Sequence, residues 1–193
     1  MARSLFIALL LLSLGGCMLP VSVTYLSPEK ASEFSVTSSR RGPDEVVKLK
    51  GAAGIEMTLI IFDLDDGTLV RFFFSLPEGH SFQMREDHFK IKTATAIATR
   101  DIAIDKVTIN EIRNNVGHQV SFKPLEKISG ATYQIRGNAA PQPVYIEVKS
   151  DMRLPDEFQF VLPQILIDDK LLNAPPIQFV RRTGTFLQGS APW

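Results

Sequence analysis

Apolar and polar residues alternate through much of the chain after residue 20, with the period of two that sends successive side chains to opposite faces of a strand. Val144, Ile146 and Val148 fall on one face, and Tyr145, Glu147 and Lys149 on the other. Val120 and Phe122 alternate with Gln119, Ser121 and Lys123. Phe158 and Phe160 alternate with Glu157, Gln159 and Val161. Ile177, Phe179 and Arg181 alternate with Gln178, Val180 and Arg182. Leu69 to Leu76 is nearly all apolar, the pattern of a central strand covered on both sides for part of its length. These patterns predict strands near 21–26, 33–38, 45–50, 81–91, 94–99, 102–109, 118–123, 132–136, 144–149, 157–168 and 177–187. Residues 105–116 are the one segment that could be helical. Ile109, Ile112 and Val116 recur at helical spacing there, although Val107 and Ile109 also alternate as in a strand.

Turn residues divide these runs. Between Met57 and Leu76, two apolar stretches flank Asp65-Asp66-Gly67, where Gly67 can take the positive φ of a turn followed by a bulge. The spacing predicts an antiparallel hairpin closed at Gly67 and ended by Pro77-Glu78-Gly79, with Ile60, Phe62, Val70, Phe72 and Phe74 buried. Ala139 to Pro143 reads as a loop inside one domain. Many short strands separated by Gly and Pro predict an all-β fold, mainly an antiparallel β-sandwich, immunoglobulin-like or related.

The amino-terminal segment follows a different rule. Arg3 precedes Leu5 to Leu14, ten residues of which only Ser13 is polar. A helix of that length reaches roughly 15 Å, about half a bilayer core, which suits the apolar region of a signal peptide and is too short for a membrane span. Leu14-Gly15-Gly16-Cys17 follows, and it resembles the lipobox of bacterial lipoprotein precursors. That resemblance implies diacylglyceryl transfer to the Cys17 sulfur, with Leu14, Gly15 and Gly16 recognised by the signal peptidase and cleavage just before Cys17. It implies a signal peptide over residues 1–16, a lipidated Cys and short tether over 17–20, and the β-sandwich domain over 21–193. The family's sorting signal is often an Asp after the Cys. Met18 stands there instead, which implies an outer-membrane location facing the periplasm. Acyl chains at about 0.8 kcal/mol per buried CH₂ would hold the mature chain on the membrane without spanning it.

Composition narrows the function. Lys+Arg and Asp+Glu both number 21, so no basic field exists to lead nucleic-acid binding. A single Cys excludes an intramolecular disulfide and a Cys-based zinc site.

Several fragments imitate catalytic motifs. Asp63-Leu64-Asp65-Asp66-Gly67-Thr68 resembles the first motif of haloacid-dehalogenase-type phosphatases. An extra Asp shifts its tight loop by one residue, and the β-branched and aromatic residues after Thr68 form a strand where that family has a helix. The same acids fail the EF-hand pattern, whose closing Glu position falls on Phe74. They read as a solvated turn, with the Asp side chains capping backbone groups at the tip. Ser27-Pro28-Glu29-Lys30, Ser150-Asp151-Met152 and Arg182-Thr183-Gly184 faintly resemble the motifs of penicillin-binding proteins, but the second lacks its Asn and no helical stripe follows Ser27. His80, Met84 and His88 share parity, yet one unbroken strand would spread them over roughly 26 Å, too far to share a metal. Arg40-Arg41 and Arg181-Arg182 read as basic pairs on a solvated strand edge, or facing anionic lipid or a partner's carboxylate.

The sequence therefore points to a lipid-anchored envelope protein with no catalytic residues, metal or cofactor of its own. It would bind or scaffold an envelope partner at the membrane surface, and would not bind nucleic acid. The alternative is a small-molecule-binding or hydrolytic periplasmic lipoprotein whose site assembles only in three dimensions. An unpaired sheet edge or apolar patch would favour the first, and a deep pocket with convergent acids the second. Cys17→Ser should leave the precursor uncleaved and unlabelled by radioactive fatty acid. Equal labelling of mutant and wild type would refute the lipobox.

Overall fold

The computed structural model describes residues 19–29, 34–38, 44–50, 55–93, 99–113, 116–124, 133–135, 141–172 and 174–188. They form strands joined by turns, in the order β1 (Leu19–Pro28), β2 (Phe34–Ser38), β3 (Asp44–Lys50), β4 (Glu56–Leu64), β5 (Gly67–Leu76), β6 (Ser81–Met84), β7 (His88–Lys92) and β8 (Arg100–Ala103). There follow β9 (Val107–Arg113), β10 (Val116–Phe122), β11 (Tyr133–Gln134), β12 (Gln142–Ser150), β13 (Glu157–Val161), β14 (Ile165–Ile167), β15 (Lys170–Leu171) and β16 (Ile177–Gln188). The all-β, antiparallel sandwich expected from the alternation is the fold observed. One layer is a seven-stranded sheet in the order β10-β9-β12-β5-β4-β3-β2. A five-stranded sheet, β1-β16-β13-β7-β8, and a four-stranded sheet, β11-β6-β14-β15, share the core with it.

These two smaller sheets are halves of one bent layer. The long strands expected at 81–91 and 157–168 each break at the same level, giving β6 then β7, and β13 then β14. Pro163 has no N–H to donate at the break, and the amide of Gln164 is taken by the Glu86 side chain at 3.2 Å. The Arg85 amide donates to the Gln164 carbonyl at 2.8 Å and carries the pairing across the bend. Residues 105–116 are not helical: β9 pairs with β10 from Val107 to Arg113, so the strand alternation there prevails over the helical spacing. Of the strand expected at 94–99, residues 94–98 lie outside the described residues.

The core is aromatic. Seven phenylalanines, Phe72, Phe74, Phe82, Phe89, Phe158, Phe160 and Phe179, are fully buried. Their rings touch in sequence from Phe158 on Phe179, through Phe160, Phe89, Phe72, Phe74 and Phe82, to Phe122 and Tyr133, with centroid separations of 5.2 to 6.4 Å. Val70, Phe72 and Phe74 are buried as expected, but Ile60 and Phe62 are not in the core. The β4–β5 register sets Met57, Leu59 and Ile61 opposite Phe74, Phe72 and Val70, and so turns Ile60 and Phe62 to the outer face. A continuous apolar run such as Thr58 to Phe62 has no polar residue to mark its parity.

The β4–β5 hairpin turns at Asp65-Asp66, with Leu64 paired to Gly67. Gly67 has a φ of +140°, and a Cβ placed on it would lie 2.0 Å from the Ser150 carbonyl oxygen. Two constraints therefore demand glycine there: the backbone angle, and the close approach of β12. The aspartates do more than cap the tip. Asp66 pairs with Lys149 at 2.7 Å, Asp63 pairs with Arg181, and the Asp65 carbonyl accepts from the Arg153 guanidinium at 2.8 Å. Gly67→Val should destabilise the fold by about 3 kcal/mol or prevent folding, through strain and collision combined. Asp65→Asn should stay within about 0.5 kcal/mol, because its side chain is exposed and its carbonyl is unchanged. Denaturant titration of both variants checks this, and the reverse ranking would contradict it.

Candidate binding surface

The pleat that buries Val144, Ile146 and Val148 of β12 sets Tyr145 and Glu147 on the outer face of the seven-stranded sheet. Phe73 stands opposite Tyr145 on β5, and Arg71 opposite Glu147. Thr108 of β9 continues the row beyond Tyr145, and Ser121 of β10 lies beyond Thr108. Arg71, Phe73, Thr108, Tyr145 and Glu147, together with Lys106, Asn110 and Gln119, line an open groove of about 490 Å³. Phe73 and Tyr145 form a tilted ring pair with centroids 5.8 Å apart. The polar residues pair with one another: Arg71 Nε donates to Glu147 at 2.6 Å, Gln119 Nε2 to Asn110 at 3.2 Å, and the Thr108 and Ser121 hydroxyls meet at 3.1 Å. The Arg71 guanidinium also lies 5.5 Å from the centroid of the outward-facing Phe62 ring and covers it. Each paired group keeps further donors or acceptors, so the groove holds oriented polar atoms around an aromatic floor.

The groove ends at a sheet edge. β10 is the terminal strand of the seven-stranded sheet, and its inner neighbour β9 is paired to β12 over only three residues, Val107 to Ile109. Beyond Ile109, no further residue of β9 pairs with β12 among the described residues. Val116, Gly117, His118 and Gln119 are all exposed, which means that both faces of the strand meet solvent. Among the described residues no strand pairs with the outer side of β10. Val116 is 57% exposed and Tyr145 39% exposed, two of four large apolar side chains among the described residues that are left open.

Polar clusters elsewhere serve the fold. Asp168 and Asp169 turn β14 into β15, both at positive φ (48° and 61°), as a two-residue hairpin turn of this hand requires. The Asp168 carboxylate then accepts from the Ser81 amide at 2.9 Å, the Ser81 hydroxyl at 3.2 Å and His80 Nδ1 at 2.6 Å, fastening this turn to β6. Ser81 bonds to the carboxylate and not to the imidazole, so the three do not form a nucleophile–base relay. His88 has partners of its own, Asp87 at 2.9 Å and Asp101 at 3.8 Å. Among the described residues no three His, Cys, Asp or Glu side chains gather where a metal ion could sit.

Arg181 is not on a strand edge. β16 lies between β1 and β13, and the Arg181 side chain turns inward to Asp63, to Asp156 at 2.8 Å and to the Leu154 carbonyl at 2.9 Å. The carboxylate sought on a partner is thus supplied within the chain. Arg182 is exposed on the neighbouring position. Leu14, Gly15, Gly16 and Cys17 lie outside the described residues, as do Lys30, Arg40 and Arg41. The groove itself was not singled out from the sequence, although the outward parity of Tyr145 and Glu147 was legible. The ambiguous helix reading at 105–116 hid the matching parity of Thr108 and Asn110. The chain matches no protein-family model, curated protein or solved structure in comparison.

The Ser81 amide above all, helped by the His80 ring and the Ser81 hydroxyl, holds the Asp168 carboxyl below the usual carboxylate range, against an opposing effect of burial that is second only to the amide. A carboxyl depressed in the folded state contributes stability above its unfolded pKa of about 3.9, and that contribution fades as pH falls through the folded value. The melting temperature of the wild type should therefore fall more steeply on acidification below about pH 5 than that of Asp168→Asn. Asn tolerates the left-handed turn, so the variant isolates the charge from the backbone. Parallel pH profiles for the two proteins would refute the contribution.

Proposed function

We propose that this chain is a lipid-anchored, non-catalytic binding module of the bacterial envelope that takes up an extended segment of a partner protein along β10. The observation that carries this reading is the edge itself: seven residues, exposed on both faces at its free end, with no pairing strand beyond it among the described residues. A row of open N–H and C=O groups is a template for strand addition, where main-chain hydrogen bonds supply affinity and alternate side chains supply selectivity. A strand added there would set every second side chain beside Gln119 and Ser121, at the mouth of the groove. Attachment through Cys17, with sorting to the outer membrane, rests on the lipobox resemblance and on the apolar segment before it. A small polar ligand is the second reading, favoured by the oriented amides and the Phe73–Tyr145 floor of the groove.

Proline scanning of β10 tests strand addition. Of Gln119→Pro and Val120→Pro, one removes a bond to β9 and the other an outward donor. The variant that keeps its melting temperature should lose photo-crosslinks formed from a benzophenone side chain at position 118. Its partner binding should weaken about tenfold or more, the equivalent of about 1.4 kcal/mol. Crosslinks that persist in both proline variants, or that form equally from position 35 on the opposite edge strand β2, would refute the reading.

A further inference from the structure

We propose that the outer ends of β1 and β16 form an apolar foot that lies against the lipid headgroups. β1 and β16 pair over ten residues, from Leu19 with Gln188 to Pro28 with Phe179. β13 flanks β16 only from Ile177 to Val180, so beyond Arg181 the two strands continue as a ribbon with no third strand among the described residues. Ser22, Val23, Thr24, Thr183 and Thr185 are exposed, which places solvent on both faces of this ribbon.

The two faces differ. Ser22, Thr24, Thr183 and Thr185 share one face, with the Thr24 and Thr183 hydroxyls 3.2 Å apart. Val21, Val23, Tyr25, Gly184 and Phe186 share the other, together with Arg182. Val23 is 36% exposed there, another of the four open large apolar side chains. Tyr25 and Phe186 meet edge to face at 5.6 Å. They cross the ribbon over Gly184, where a Cβ would press on the Phe186 ring at 3.0 Å and on Tyr25 at 3.4 Å. Glycine thus leaves room for two rings to meet across a two-stranded ribbon, in a patch of two valines, two aromatics and one arginine.

The occupant follows from where the chain goes. β1 begins at Leu19, two residues after Cys17, so an extended chain sets the ribbon within about 7 Å of the lipid attachment. A partner protein would have to reach this face inside the headgroup layer, whereas lipid is already present there. Aromatic side chains and valines suit the interfacial zone, and Arg182 suits anionic headgroups. The foot rests on the lipid-anchor reading, and it adds an orientation that a flexible tether would not supply.

The test uses the full chain extracted from membranes and reconstituted into vesicles of phosphatidylethanolamine and phosphatidylglycerol with brominated acyl chains. Trp193→Phe removes the chain's one tryptophan. In that background Val23→Trp probes the apolar face and Thr24→Trp the hydroxyl face, while mass spectrometry reads acylation of Cys17. Acylated protein should show a blue shift and loss of emission from Val23→Trp in brominated vesicles, with neither change from Thr24→Trp. Acylated protein with both probes unquenched, or both equally quenched, overturns the foot and leaves the anchor standing. An unmodified Cys17 overturns the anchor and the foot with it.

Discussion

Contact between aromatic rings across the sandwich is the constraint on which the rest of this structure depends. The run of rings from Phe158 to Tyr133 passes from the five-stranded sheet, through Phe89 to Phe72, into the seven-stranded sheet, and then through Phe74 to Phe82 into the four-stranded sheet. It touches all three. Each fully buried phenylalanine contributes about 1.5–3 kcal/mol of transfer free energy, and edge-to-face pairs add about 0.5–1.5 kcal/mol. The bend in the second layer is compatible with this core because Phe82 and Phe89 sit on either side of it, in β6 and β7, and both reach rings of β5. A rigid pair of unbroken strands could not bring both phenylalanines down on the same twisted sheet.

A polar closure at one end complements the aromatic core. Asp63 and the fully buried Thr68 stand opposite each other at the last core-facing positions of the β4–β5 hairpin. Asp63 ties this hairpin to Arg181 of the opposite layer, and the Thr68 hydroxyl donates to the Met152 carbonyl at 2.6 Å. Arg181 then reaches Asp156 and Leu154 in the segment that leads into β13. An isolated surface ion pair is worth little, about 0–1 kcal/mol. This arginine is half-buried and shared among three acceptors on two segments, β4 and the lead into β13, so its contribution is chiefly to fix how the two layers meet. Gly67 belongs to the same closure, since only a residue without a Cβ lets β12 pass close enough to bring Met152 over Thr68.

Much of the fold was legible in the alternation because a sandwich buries one face of each strand, and period two records that face directly. Where both faces are partly covered the record fails. The run from Thr58 to Phe62 is apolar or half-apolar at every position, and only the register against β5 decides that Leu59 and Ile61 point inward. The strand expected over 157–168 runs straight through Pro163, and the coincidence of the break there with the break before β7 depends on pairings between residues 67 to 85 apart. The groove was the least legible feature. Its residues come from β5, β9, β10 and β12, and no spacing in the chain announces that Arg71, Asn110, Gln119 and Glu147 will share one face. The aspartates misled in the opposite sense, since a cluster that looked chemical in one dimension is divided among three cations in three.

The parity that sorts the core also relates the two open surfaces. Leu26 of β1 is buried, so Tyr25 and Val23 face away from the seven-stranded layer. Ile146 of β12 is buried, so Tyr145 and Glu147 face away from the five-stranded one. The ribbon's apolar face and the groove are therefore turned out of opposite sides of the sandwich. A protein resting on lipid through Val23, Tyr25 and Phe186 would present the groove away from the headgroups, with the free edge of β10 beside it. A flexible tether would let both surfaces sample every orientation, and most encounters with a partner would find the groove misaligned. Under the proposal, an apolar foot beside the anchor would remove that freedom before the partner arrived, and so lower the ordering cost of each binding event. In this reading the very short connection from Cys17 to β1 and the glycine beneath two edge-to-face rings serve one purpose, which is to set the direction in which β10 and its groove are offered.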